Sequence, residues 1–172
     1  MRKLQYILFL ALLLGVKAFG ASGNLTAYLR HAAYNTASGK SYVETYLNVM
    51  GNTVKFKGNS DGTYESKVKV TIAFLRADST IANANSYNLH SQQIKDTTNK
   101  PDYIDVQRYW LAQGVYTMHI ELKDMNNEGG KTLSSDQKIN VGFNTDSIKV
   151  ADMELLQSYT PSTNHGILSK NG

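Results

Sequence analysis

Ser38-Gly39-Lys40-Ser41 carries the Gly-Lys-Ser ending of a phosphate-binding loop, in which backbone amides and a lysine cradle a phosphate. The complete motif requires a glycine five residues before Gly39, and Tyr34 stands there. The stretch also falls between extended segments rather than ahead of a helix, so it reads as a polar loop. Asp124, Asn126, Glu128 and Gly129 set oxygen groups at alternate positions, as a calcium loop begins. Such a loop closes on a bidentate glutamate at its twelfth position, where this chain has Ser135, and the stretch reads instead as a hairpin loop. The four histidines, His31, His90, His119 and His165, form no pair with metal-ligand spacing and no H-E-x-x-H. His119, Asp124 and a serine could be drawn as a triad, but no G-x-S-x-G elbow accompanies them. The chain has no cysteine, which removes a thiol nucleophile, a lipid-modified cysteine and a Cys-based zinc site. No catalytic residue, metal site or cofactor is assigned, and the chain reads as a non-enzyme.

Tyrosine is the more informative excess, with ten of the eleven lying beyond residue 20. Tyr42 and Tyr46 share one strand face with Glu44 and Asn48. Aromatic rings flanked by hydrogen-bonding groups can hold a sugar or a partner surface. Tyr42, Glu44, Tyr46 and Trp110, the only tryptophan, are therefore the candidate binding residues. The plainer alternative is aromatic packing between neighbouring strands.

The elements that must position these groups are strands. Val68, Val70, Ile72 and Phe74 alternate with Lys67, Lys69, Thr71 and Ala73. Tyr116, Met118, Ile120 and Leu122 alternate with Val115, Thr117, His119 and Glu121, and Val43, Leu47 and Val49 oppose the tyrosine face. A sheet with one buried and one wet face needs this period of two. Turn residues at Met50-Gly51-Asn52, Asn59–Gly62 and Asn126–Gly130 separate the runs. Strands are expected near 25–34, 41–50, 53–58, 63–77, 80–92, 103–111, 114–124, 132–143 and 147–157, with no helical period anywhere. Nine short strands with regular turns predict an all-β fold, an immunoglobulin-like or fibronectin III-like antiparallel β-sandwich. Leu111-x-x-Gly114-x-Tyr116 fits the tyrosine corner of such sandwiches, in which the phenol bonds back to nearby backbone.

The beginning of the chain is an address. Arg2 and Lys3, the apolar run Ile7–Leu14 and Ala18-Phe19-Gly20 follow the order of a secretory signal peptide, cut after Gly20. The apolar run is shorter than the roughly 20 residues that span a bilayer, so no transmembrane segment is expected after cleavage. Of 18 Lys and Arg, Arg2, Lys3 and Lys17 leave with the leader, so 15 remain against 14 Asp and Glu. That near balance offers no basic stripe for a phosphate backbone, and nucleic acid is excluded as a partner. The organisation expected is a signal peptide at 1–20, a sandwich domain at 21–146, and a linker or the first strand of a following domain at 147–172.

Tyr42-Val43-Glu44-Thr45-Tyr46-Leu47, Asp96-Thr97-Thr98-Asn99, Asp105-Val106-Gln107-Arg108-Tyr109, Leu111-x-x-Gly114-x-Tyr116, Leu155-Leu156-Gln157-Ser158-Tyr159 and Leu168-Ser169-Lys170-Asn171-Gly172 occur in that order. The series resembles the N-terminal part of exported Bacteroidota proteins that carry a GWxTD-type domain further on. The resemblance implies a periplasmic or outer-membrane-associated protein with N-terminal β-sandwich domains, continuing past Gly172. The G-W-x-T-D motif is absent from this chain, so no property of that domain is carried over.

The expected function is a non-catalytic interaction or spacer module of an exported envelope protein, whose partner is an envelope protein, a glycan or further domains of the same chain. The alternatives are a carbohydrate-binding module using surface tyrosines and a pilin- or adhesin-like subunit.

Overall fold

The structure, a computed structural model, describes residues 24–36 and 38–142. The expected leader, the expected strand at 147–157 and the linker after it lie outside the described residues. Eight strands follow one another: β1 (Ala27–Asn35), β2 (Ser41–Val49), β3 (Phe56–Gly58), β4 (Tyr64–Leu75), β5 (Ile81–His90), β6 (Tyr103–Trp110), β7 (Gly114–Asp124) and β8 (Leu133–Val141). The one helical element among the described residues is a single 3₁₀ turn, Gly51–Thr53.

All pairing is antiparallel. One sheet has the order β1-β2-β6, and the other runs β5-β4-β7-β8, with β3 on the first residues of β4. Two antiparallel sheets, of three and five strands, pack face to face as the expected β-sandwich.

The period-two pattern explains the closure. Val68, Val70, Ile72 and Phe74 of β4 have no exposed surface. They meet Val43, Leu47 and Val49 of β2 and Met118, Ile120 and Leu122 of β7 in one continuous core. Burying each such side chain stabilises the fold by about 1.5–3 kcal/mol relative to exposure. Tyr116, at the start of β7, donates its hydroxyl to the Ala112 carbonyl at 2.8 Å and fixes the turn between β6 and β7.

The short strand expected from residue 53 begins at Phe56 instead. The Thr53 hydroxyl donates to the Met50 carbonyl at 2.7 Å and accepts from the Thr26 amide at 3.0 Å. That local bonding winds Gly51–Thr53 into a turn before the strand starts.

The two long sides of the sandwich close differently. On one, β5 and β6 are bridged by side chains: the Tyr87 hydroxyl donates to Asp105, and Asn83 Nδ2 donates to the Trp110 carbonyl at 3.2 Å. Burial, then the bond to Asp105, holds the Tyr87 hydroxyl well above the ordinary phenol range. On the other, β1 and β8 leave a slot of about 250 Å³ over Leu29, Leu47, Met118, Ile120 and Leu122.

Candidate functional site

The outward residues of β1, β2 and β6 fall into register as rows. Tyr34, Tyr42 and Trp110 lie across the three strands; Ala32, Glu44 and Arg108 form the next row; then Arg30, Tyr46 and Val106; then Tyr28, Asn48 and Ile104. The four candidate residues read from the sequence are thus on one surface, the outer face of the three-stranded sheet. Tyr42, Glu44 and Tyr46 alternate along the central strand, and Trp110 is the direct neighbour of Tyr42 on β6.

An aromatic row tops the face. Tyr34 stacks on Tyr42 with ring centroids 5.3 Å apart, and Trp110 meets the Tyr42 ring edge-on at 5.3 Å. Cross-strand aromatic pairs of this geometry contribute about 0.5–1.5 kcal/mol beyond their burial. The Arg108 guanidinium sits 4.8 Å from the Tyr42 ring centroid, adding a cation–π contact.

Glu44 differs from expectation. Its position in the alternation predicts a wet carboxylate, yet its side chain has no exposed surface. Arg108 reaches it through Nε at 3.0 Å and Nη2 at 2.6 Å, both on Oε1. The Tyr46 hydroxyl donates to Oε2 at 2.6 Å and lies 3.4 Å from the Tyr34 hydroxyl. The tyrosine rings and the arginine roof the carboxylate over, and their hydrogen bonds replace its water. Burial, then the bond to Glu44, pushes the Tyr46 hydroxyl far above the usual phenol value, so it stays protonated and donating. Glu44 is therefore a brace beneath the face, and the groups that can touch another molecule are the rings, the aliphatic side chains and the arginines Arg30 and Arg108 around it.

Three of those side chains are open to solvent: Tyr28 at 61%, Ile104 at 68% and Trp110 at 53% of their full exposure. The outer face of the opposite sheet has a different character. There Lys67, Lys69 and Thr71 of β4 lie beside His119, Glu121 and Lys123 of β7.

Trp110 also borders a cleft at the end of the face. Its walls are the Gly39-Lys40-Ser41 loop and the Leu111-Ala112-Gln113 turn, and its volume is about 620 Å³. Leu111, Gly114 and Tyr116, the proposed corner, thus bear on the site by fixing one wall.

The remaining motifs resolve into structure. Gly39 and Lys40 belong to a loop closed on itself, with the Thr36 amide donating to the Lys40 carbonyl at 2.8 Å. The Asp124 carboxylate accepts from the amides of Lys55 at 2.8 Å and Asn126 at 2.9 Å, tying the β7–β8 loop to β3. His119 lies 2.6 Å from Asp136 on the polar sheet face, away from Asp124. Arg108 and Tyr34, absent from the sequence-derived site, are the residues that complete it. Glu44 and Arg108 are 64 positions apart, and only strand pairing brings them together.

No family model, curated protein or solved structure matches this chain.

Proposed function

We propose that this chain is a non-catalytic binding module of an exported protein, and that it binds through the outer face of the three-stranded sheet. The observation that carries the reading is the contrast between the two outer faces. One is covered along most of its length by lysine, threonine, histidine and glutamate, with Ile81 and Val115 exposed only at one end. The other exposes Tyr28, Ile104 and Trp110 around rings locked in place from below. Apolar side chains at both ends of a rigid face, with aromatic and arginine residues between them, are the composition of contact surfaces. The leader-like first twenty residues and the resemblance to envelope proteins support a setting outside the cytoplasm.

The test is site-specific photocrosslinking in cells that export the full chain. A crosslinker at Ile104 is expected to yield a discrete adduct that Trp110→Glu removes, while a crosslinker at Thr71 on the opposite face yields none. Equal adducts from both faces, or none from Ile104, would overturn the reading.

A further inference from the structure

We infer that the cleft beside Trp110 is a carbohydrate subsite, in which a sugar ring lies on the indole and its hydroxyls meet Lys40 and Gln113. The inference rests on the reading of this sheet face as a binding face, and it names the chemistry of the ligand at the face's upper end.

Trp110 is the last residue of β6, an edge strand of its sheet among the described residues. About half its surface stays in water, although an aromatic side chain is among the most favourable to bury. The ring is nonetheless well supported. Tyr42 touches its edge, and Asn83 holds its backbone carbonyl. The result is a flat apolar platform with one side open to the cleft.

The cleft itself is built in advance. Its volume lies within the roughly 300–1,000 Å³ typical of small-ligand sites. One wall is fixed by the Tyr116 hydroxyl on the Ala112 carbonyl at 2.8 Å. The other is fixed by the Thr36–Lys40 bonds at 2.8 and 3.1 Å. The Leu111 amide joins the walls through the Ser41 carbonyl at 3.3 Å. Walls that are already ordered need little further ordering when a ligand arrives.

The polar side chains on those walls select the ligand class. Among the described residues the Lys40 ammonium and the Gln113 amide engage no other side chain, so both can serve a ligand. A flat apolar surface rimmed by free donors and an amide acceptor is complementary to a pyranose, which carries one C–H-rich face and an equatorial belt of hydroxyls. A phosphate ligand fits poorly, because the loop precedes a strand and offers one lysine without a helix N-terminus. An acyl chain fits poorly as well, because the walls carry polar groups where it would need a dry tunnel.

Trp110 is the only tryptophan of the chain, so its emission reports on this cleft alone. The full chain is titrated with glucan, mannan, xylan and chitin hexasaccharides and with oligogalacturonate; the last distinguishes an acidic sugar read by Lys40 from a neutral one. A saturable blue shift is expected with at least one of them. Lys40→Ala or Gln113→Ala, both outside the core, is expected to weaken that response about tenfold. No saturable change with any of the five, or a change that neither variant weakens, would overturn the inference. If the glycans are silent while the Ile104 adduct persists, the sugar assignment fails and the binding face stands. If both are silent, both fail.

Discussion

Arg108 and Glu44 show how much one side-chain pair can decide on an outer sheet surface. Glu44 has surrendered all its hydration, and Arg108 is about one quarter exposed. Removing the arginine alone leaves a covered carboxylate stripped of its charged partner. Arg108→Met is therefore expected to lower stability by about 2–3 kcal/mol, toward the small end for a buried pair because the arginine keeps some water. Urea denaturation should show it, and Glu44→Met in the same chain should restore most of the loss, since no buried charge then remains. The histidine on the opposite face behaves differently. Donation to the Asp136 carboxylate, then to Glu121, raises the His119 pKa above its ordinary 6.5 despite some desolvation. A raised folded value means that the protonated ring favours the folded state below the unfolded pKa. That contribution fades as pH climbs through the folded value. Asp136→Asn should move the His119 titration, followed by NMR, back down toward the ordinary value. Because about a third of the His119 side chain and most of Asp136 remain in water, unfolding midpoints should change little.

At the scale of the element, the strands were legible in the sequence wherever one face is buried and the other wet. Along β4 and β7 each change of residue class is a change of face, so their limits are met within two residues. Along β5, Ala82-Asn83-Ala84-Asn85 alternates in residue class with no matching alternation of burial, because this edge strand is largely open to solvent. Its place follows from the turns that bound it. Those turns share a pattern with the β3–β4 turn: Asp78 and Asp96, like Asp61 there, each accept from the amide and the hydroxyl of a threonine two residues on. The candidate site was half legible. Alternation puts Tyr42, Glu44 and Tyr46 on one face, but it does not report pairing, so Arg108 and Tyr34 stay hidden and Glu44 reads as wet. The 3₁₀ turn carries its own requirement. A Cβ at Gly51 would stand 2.1 Å from the Pro101 carbonyl oxygen, a backbone atom that cannot swing aside. Its amide also donates to Asp102 at 2.9 Å, anchoring the connector that leads into β6. Gly51→Ala should therefore cost more than about 2 kcal/mol, read from the thermal or urea midpoint.

For the whole molecule, the sandwich uses its two sheets for different tasks. The five-stranded sheet supplies the longest uninterrupted apolar rows and turns a mainly polar surface outward, with Ile81 and Val115 exposed at one end. The three-stranded sheet contributes a smaller share of the core and turns its aromatic row outward. The side bridged by Asn83 connects the two, because the strand end that carries Trp110 is held from the larger sheet. The ion pair under the face has one more effect. Its dehydration is completed during folding, when the rings close over the carboxylate, so a visiting molecule encounters carbon and aromatic edges above a charge already neutralised. Contact there strips water mainly from greasy atoms, and the rotamers beneath are frozen before any encounter takes place.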